Sequence, residues 1–254
     1  MGSTAMPSRT PRVVTYLIWI AVVLLAVGQQ GAKGPVMAPS EVLGVHAGTD
    51  NQGLQGKTYV ALGDSISAGR FATAQDGTFP AVVAEKLGMT LTLVARSGAK
   101  AAWALPQLGA VQAAHPALVT IELGTNDAGF STPLDSFAAQ YEAIVIGVSS
   151  PQTRVLCIGS WLPSTAIDAI IAQTCERHGA IFVTLNGFYA VNEFHGNDGG
   201  SSYLGRTDWF HPGDQGHAAI AAAVLSALGA GPAPVVGPLP SVSHIPDVIR
   251  THPQ

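Results

Sequence analysis

The sequence has few charged residues and no excess of positive charge. Aspartate, glutamate, lysine and arginine make up 11% of the 254 residues, and 12 basic against 16 acidic side chains give a formal net charge of −4. A protein that binds nucleic acid usually presents a basic surface to the phosphate backbone. The composition therefore argues against nucleic acid as a partner. A hydrophobic content of 47% in a chain of this length is enough for one sizeable core.

Cysteine is also scarce. The chain has two cysteines, Cys157 and Cys175, which are too few for a disulfide scaffold. Neither lies in a paired motif of the kind that holds zinc, so we predict no metal site. The sequence leaves open whether the two cysteines form one disulfide bond or remain buried thiols.

The N-terminal region contains a long apolar run, from Val13 to Val27, which follows Arg9 and Arg12. A basic segment followed by such a run is typical of an export signal. The run is short for a membrane-spanning helix, which needs about 20 apolar residues. We predict that residues 1–28 are a cleaved signal peptide, with an uncleaved membrane anchor as the alternative. In both cases the rest of the chain would be secreted or held in the cell envelope.

Composition divides the remainder into three parts. Residues 29–56 contain glycine, glutamine and proline without a period and are predicted to be a linker. Residues 230–254 are rich in proline and are predicted to be a flexible tail. The folded domain is therefore expected over residues 57–229.

Within that domain, short apolar runs alternate with helical patterns. The runs that predict strands are KTYVALGDS, MTLTLVA, PALVTIELGTND, TRVLCIGSW and AIFVTL. The stretches that predict helices are FPAVVAEKLG, PLDSFAAQYEAIVIGV, STAIDAIIAQTCERHG and PGDQGHAAIAAAVLSALG. Apolar strands that alternate with helices are typical of a parallel sheet covered on both faces. We therefore predict a three-layer α/β/α fold around a mostly parallel sheet of five strands.

Four polar blocks follow the strands or precede the last helix. They are GDS after the first strand, RSG after the second, GTND after the third and DWFH before the final helix. In an open parallel sheet, ligands bind outside the carboxyl ends of the strands. The four blocks are therefore expected to converge on one edge.

Taken in order, these blocks resemble those of the GDSL, or SGNH, hydrolase family over residues 57–229. The resemblance implies a flavodoxin-like sheet and an esterase or lipase-like serine hydrolase that needs no cofactor. It also implies roles for five residues. Ser65 would be the nucleophile, and His211 and Asp208 would complete the triad. The oxyanion hole would consist of the backbone N–H groups of Ser65 and Gly98 and the side-chain amide of Asn126. The chain departs from the family pattern at Ile66, where leucine is usual, and at Arg96, where asparagine is usual.

The chemistry explains why those residue types are needed. A serine hydroxyl is a weak nucleophile until a neighbouring base removes its proton, and histidine titrates in the range suited to that task. The aspartate fixes the tautomer of the histidine and stabilises the imidazolium. Each hydrogen-bond donor to the oxyanion is worth about 3 to 4 kcal/mol in the transition state.

We predict an exported serine esterase that favours short-chain acyl or acetyl esters. Its substrate would be a small molecule or an ester of a glycan or lipid, and a monomer is favoured. Residues 13–27 would account for any association with a membrane. Two alternatives stay open: an acyltransferase that modifies an envelope glycan or lipid, and a non-catalytic module that binds carbohydrate or envelope on the same scaffold.

Other residues near the expected site allow more than one interpretation. Trp103 and Trp161 could line an acyl or sugar pocket or could simply pack at a loop. The glycine-rich connection at residues 186–207 is predicted to border the site as a mobile lip, with His195 exposed to solvent. Asp64 is expected to organise the turn rather than to titrate in the reaction.

Overall fold

The computed structural model describes residues 53–234. The predicted signal peptide or anchor at residues 1–28, most of the predicted linker and most of the predicted tail lie outside the described residues. Within 53–234, none of the helices has the length and apolar character to span a bilayer. Leu54, which the sequence assigns to the linker, is only 3% exposed, so the packed part of the chain begins slightly before residue 57.

A central sheet of five parallel strands confirms the predicted fold class. The strand order is β2-β1-β3-β4-β5, which is the flavodoxin-like arrangement. The strands are β1 (Thr58–Gly63), β2 (Thr90–Ala95), β3 (Leu118–Glu122), β4 (Arg154–Ile158) and β5 (Ile181–Val183). A separate two-stranded hairpin, β6 (Ser201–Ser202) and β7 (Gly205–Arg206), lies in the connection before the last helix.

Seven α-helices accompany the sheet in residues 53–234. They are α1 (Phe79–Leu87), α2 (Ala101–Ala104), α3 (Leu108–Ala113), α4 (Thr125–Gly129), α5 (Leu134–Val148), α6 (Thr165–Arg177) and α7 (Asp214–Ala227). The four longest, α1, α5, α6 and α7, coincide with the predicted helical patterns. The three short helices were not predicted, because four to six residues give too little periodicity to identify a helix.

The strands divide their side chains between two cores. On β1, Tyr59 and Ala61 point into a core that α1 and α7 cover. The intervening Val60 and Leu62 point into a second core, to which α5 and α6 contribute. This alternation follows from the two-residue period of a strand, and burial on both faces explains why β1 and β3 are apolar throughout most of their length.

Local signals set the ends of the long helices. The Thr78 side chain accepts a hydrogen bond from the Ala81 amide and caps α1, which has a proline in its first turn. Gly88 ends the same helix in the left-handed conformation, with φ of 61°. Ser164 caps α6 by accepting a hydrogen bond from the Ile167 amide.

The two cysteines are joined. A disulfide bond links Cys157 on β4 to Cys175 on α6, with their Cα atoms 6.3 Å apart. Both residues are buried in the second core. The bond settles the alternative that the sequence left open and ties the sheet to one of its covering helices.

Candidate active site

The carboxyl edge of the sheet gathers the polar blocks. Ser65 lies two residues after β1, and Asn126 lies in the short helix α4 that follows β3. The loop that contains Asp208 and His211 leads into α7, which packs beside α1. Residues that are 146 positions apart in the chain thereby come into contact.

Three side chains form a continuous hydrogen-bonded chain. Ser65 Oγ lies 2.9 Å from His211 Nε2, and the hydroxyl donates to that nitrogen. His211 Nδ1 lies 2.9 Å and 3.0 Å from the two carboxylate oxygens of Asp208 and donates to them. The Asp208 carboxylate also accepts from the His211 backbone amide at 2.9 Å, so the turn itself orients the aspartate. This is the arrangement in which a histidine can remove a serine proton.

The surroundings favour an ionised aspartate beside a sheltered histidine. Although burial raises the pKa of Asp208, the hydrogen bonds from His211 outweigh it and hold that pKa below its ordinary value. The Asp208 side chain is 45% exposed, whereas that of His211 is 15% exposed. The ring of Phe71 contacts His211 edge-on, with the ring centres 5.0 Å apart. The site is therefore open to solvent on the side of the aspartate.

Two backbone amides of this edge lie in the loops that follow β1 and β2. Within the part of the chain that the structure describes, neither the Ser65 N–H nor the Gly98 N–H donates a hydrogen bond. Gly98 has a φ of 73°, a conformation that glycine adopts without strain. Unpaired amides at a loop on this edge are suited to receive negative charge that develops on a substrate oxygen.

The Asn126 amide is engaged within the protein. Its Nδ2 donates to Asp64 Oδ2 at 2.8 Å and to the Ala99 carbonyl at 3.0 Å. The sequence predicted that Asn126 lies at the same edge of the sheet as Ser65 but did not predict these two partners. Both amide hydrogens face acceptors in this structure, so donation to a substrate oxygen requires the amide to give up or share one of them.

A buried pair of carboxyl groups, Asp64 and Glu122, lies at the start of the loop that contains Ser65. Glu122 Oε2 accepts from the Ser67 hydroxyl at 2.9 Å and lies 3.4 Å from the Asp64 amide nitrogen, which donates to it. Burial raises the pKa of Asp64 to about 6. Burial and the neighbouring Asp64 charge raise the pKa of Glu122 well above its ordinary value. Sequence reasoning missed Glu122, although a carboxylate at the end of the apolar run LVTIE was a visible signal.

Asp64 organises the turn that presents the serine, as the sequence predicted. Its Oδ1 accepts from the Ile66 amide at 2.8 Å, while its Oδ2 accepts from Asn126. One side chain thereby connects the loop after β1 to helix α4. The loop that contains Ser65 and the Asn126 side chain cannot move independently without loss of the bond between Asn126 and Asp64.

The family of the chain follows from its sequence as a whole. The sequence model of the GDSL-like lipase/acylhydrolase family matches residues 61–219, which is more than half of the chain. The chain belongs to this family. It is accordingly a carboxylic ester hydrolase, and the match spans the loops that carry Ser65, Asn126, Asp208 and His211. No curated protein matches the sequence.

Solved structures share the fold. The psychrotrophic esterase EstA from Pseudoalteromonas sp. is 20% identical, with a TM-score of 0.55 over 68% of this chain and 96% of that one. TesA is 24% identical, with a TM-score of 0.54 over 68% of this chain and 98% of that one. A two-domain esterase (CEX) active on acetylated mannans is 17% identical, with a TM-score of 0.53 over 70% of this chain and 50% of that one. At these identities the likeness concerns the fold.

The connection at residues 186–207 differs from the predicted mobile lip. It contains two short 3-10 helices, Phe188–Ala190 and Asn192–Phe194, and the β6–β7 hairpin. The Tyr203 hydroxyl donates to the Ala68 carbonyl at 2.8 Å, which connects the hairpin to the loop that contains Ser65. The segment therefore forms a structured wall beside the site.

Three further residues that the sequence analysis considered near the site have the following positions. The prediction that His195 is solvated is wrong, because the residue is buried against Trp209 and Tyr189. Trp161 is buried in the core behind the Asp208 loop, so it packs rather than lines an open pocket. Trp103 is partly exposed, and the Arg96 guanidinium lies over its ring at 5.0 Å.

Proposed function

We propose that this family member cleaves carboxylic esters through an acyl-enzyme formed on Ser65. The observation that carries the proposal is the pair of short contacts from Ser65 to His211 and from His211 to Asp208. His211 Nε2 accepts the hydroxyl proton as Ser65 Oγ bonds to the ester carbonyl carbon. Asp208 holds the ring in the required tautomer and stabilises the imidazolium that results.

The tetrahedral intermediate then breaks down in two stages. His211 returns its proton to the departing alcohol oxygen as the bond from carbon to that oxygen breaks, which leaves an acyl group on Ser65. Water bonds to the acyl carbon while His211 accepts one of its protons, and Ser65 leaves with that proton as the acid is released. The unpaired amides of Ser65 and Gly98 support a role as donors to the oxyanion, with Asn126 as the third donor.

Short-chain or acetyl esters are the proposed substrates. The half-exposed Asp208 supports an open site that small or polar esters reach directly. The hairpin that borders the site is fastened to the nucleophile loop through Tyr203, which favours a fixed wall over an apolar lid. The structurally similar two-domain esterase acts on acetylated mannans, which is consistent with an acetyl substrate.

The first experiment measures serine reactivity and chain-length preference together. The full chain and a Ser65→Ala variant are incubated with a fluorophosphonate probe and with p-nitrophenyl esters from acetate to palmitate. We expect labelling and turnover in the parent, highest with the shortest esters, and loss of both in the variant. Undiminished turnover in a folded Ser65→Ala variant would reject Ser65 as the nucleophile.

An added acceptor separates hydrolysis from acyl transfer. The same assay is run with a glycan or alcohol in excess, and the products are identified by mass spectrometry. Hydrolysis predicts free acid as the main product at every acceptor concentration. A dominant acylated acceptor would instead identify the chain as an acyltransferase.

We also propose that the protein is exported. The buried disulfide between Cys157 and Cys175 supports an oxidising compartment, because such bonds are rare in the cytosol. The apolar run at residues 13–27 supplies the signal or the anchor. Cell fractionation with mass spectrometry of the N-terminus tests both points. A reduced protein with an intact N-terminus in the cytosol would overturn export, and an intact N-terminus in the membrane fraction would identify an anchor.

A further inference from the structure

A short segment around His195 runs alongside the loop of the proposed triad. His195 and Pro212 form an antiparallel bridge. The Gly196 amide donates to the His211 carbonyl at 2.8 Å, and the Gly213 amide donates to the Phe194 carbonyl at 2.9 Å. Residues 207–213 contain no helix or longer strand of their own. Their shape therefore depends on the segment that pairs with them.

The His195 ring makes a second connection to the same loop. Nδ1 lies 2.6 Å from the Trp209 carbonyl, and Nε2 lies 2.7 Å from the Tyr189 carbonyl. A carbonyl oxygen only accepts hydrogen bonds, so the ring donates to the Trp209 carbonyl when Nδ1 carries a proton. His195 thus joins the 3-10 helix at Phe188–Ala190 to the loop that contains Asp208 and His211.

Aromatic rings enclose this histidine. The Trp209 ring is stacked on it with a centroid distance of 4.0 Å and an angle of 8° between the planes. Tyr189 and Trp161 contact it edge-on at 4.9 Å and 5.4 Å. Trp161 Nε1 also donates to the Phe210 carbonyl at 2.6 Å, so two successive carbonyls of the triad loop are held by buried side chains.

We propose that His195 is a positioning residue that fixes the Asp208–His211 loop in its reactive geometry. The proposal rests on the proposed function, in which His211 is the base for Ser65. The Trp209 carbonyl that His195 binds lies between Asp208 and His211 in the chain, so loss of this bond loosens the turn that aligns both side chains. Displacement of a reacting group by about 1 Å can cost about 10²-fold in rate.

The test replaces the ring without removing its bulk. His195→Phe keeps an aromatic ring for the stack on Trp209 and removes both ring nitrogens. We expect kcat for a p-nitrophenyl ester to fall about 10- to 100-fold, with KM changed less than threefold, and fluorophosphonate labelling to slow by the same factor as kcat. His178→Phe is the matched control, because His178 follows α6 at the opposite edge of the sheet. It is expected to leave kcat, KM and labelling unchanged.

NMR of the histidine rings supplies a readout that does not need activity. In ¹⁵N-histidine-labelled protein, the ring signals lost in His195→Phe identify His195, and its Nδ1 should carry a proton, as a donor to the Trp209 carbonyl must. The low-field proton of His211 Nδ1, hydrogen-bonded to Asp208, should shift or broaden in His195→Phe and stay in place in His178→Phe. An unprotonated Nδ1 on His195, or an unchanged His211 proton together with unchanged kcat, would overturn the inference.

The design separates failure of this inference from failure of the proposed function. A folded parent that neither labels nor turns over would reject the serine mechanism, and the His211 proton would then decide the positioning role by itself. A parent that labels normally beside a His195→Phe variant with the same labelling rate would reject the positioning role and leave the mechanism standing.

Discussion

Asp64 and Ser65 are adjacent in sequence but occupy different surroundings. The Asp64 carboxylate is enclosed, and it accepts from the Ile66 amide and the Asn126 side chain. The Ser65 hydroxyl instead reaches the ring of His211. A turn after a strand separates the two directions, so one residue can support the loop while the next is available for the chemistry proposed for it. The structural role of Asp64 follows from its burial and not from its charge alone.

Asn126 is the residue whose contribution a substitution can best define. We predict that Asn126→Ala lowers kcat by about 10²- to 10³-fold, because removal of one oxyanion donor costs about 3 to 4 kcal/mol in the transition state. Steady-state kinetics with p-nitrophenyl acetate would measure the effect. Gln152→Ala removes an amide at an exposed position between α5 and β4, and this control should leave kcat unchanged.

The opposite outcome would identify Asn126 as a tether. The bonds from its amide to Asp64 and to the Ala99 carbonyl are lost in the variant under either interpretation. A lower melting temperature with kcat within about threefold of the parent would therefore contradict a role as oxyanion donor.

At the scale of elements, prediction succeeded where the signal is local. The long helices α1 and α6 have capping side chains at Thr78 and Ser164, and each has more than two turns of apolar periodicity. Helix α4 has five residues and none of these signals. The 3-10 helices and the hairpin of residues 186–207 were not predicted. Part of the structure of this segment depends on partners outside it, such as the Ala68 carbonyl that accepts from Tyr203.

The disulfide between β4 and α6 gives a prediction about these two elements. It closes a loop of 18 residues in sequence separation, and cross-linking a loop of that size stabilises a fold by about 3 kcal/mol. We predict that a Cys157→Ala, Cys175→Ala double variant loses about 3 kcal/mol or more of unfolding free energy, since buried volume is lost as well. Urea denaturation of parent and variant measures the difference.

The same variant separates stability from catalysis. The disulfide lies in the second core, and neither cysteine is hydrogen-bonded to the triad. The variant should therefore keep kcat at a temperature where it is fully folded. A large loss of kcat in the folded variant would contradict this separation, whereas equal unfolding free energies would contradict the stabilising role of the bond.

At the scale of the whole molecule, a buried histidine makes stability depend on pH. His217 on α7 accepts a hydrogen bond from the Phe79 amide through Nδ1 and donates one to the Arg70 carbonyl through Nε2. These bonds connect α7 to α1 and to the loop after β1. Burial lowers the pKa of His217 to about 4. The unfolded chain therefore binds this proton at a higher pH than the native protein does.

The sign and size of the effect follow from linkage. The loss of unfolding free energy caused by His217 is absent above about pH 6.5 and grows as pH falls towards 4, because in that range His217 is protonated mainly in the unfolded state. It reaches about 3 kcal/mol at pH 4, at 1.36 kcal/mol for each pKa unit. Asp64 acts in the opposite direction: its raised pKa of about 6 reduces stability as pH rises from about 4 to 6.

A His217→Leu variant isolates the histidine from the other groups. It should be less stable than the parent at pH 7, since two hydrogen bonds are lost. The gap in unfolding free energy between parent and variant should narrow by about 3 kcal/mol by pH 4. Urea denaturation at both pH values measures the gap, and the contributions of Asp64 and Glu122 cancel because both proteins contain them. A gap that stays constant with pH would show that His217 does not titrate as proposed.

The sequence could place Ser65, Asp208 and His211 because each lies in a short block with a fixed relation to a strand or helix. It did not give the contacts of Glu122 or His195. Glu122 contacts Asp64 and Ser67 from the neighbouring strand, and His195 binds the carbonyls of Tyr189 and Trp209. The carboxylate at the end of an apolar run was a visible signal, but no local pattern specifies contacts of this kind, so these partners become visible only in the folded protein.

The separation of the serine from its histidine also bears on how the protein is made. Ser65 follows the first strand of the sheet, whereas Asp208 and His211 precede the last helix, 146 residues later. A growing chain that has not reached residue 208 contains Ser65 without Asp208 and His211. On the proposed mechanism, reactivity towards esters therefore arises only after these residues have been synthesised and the loop before α7 has docked.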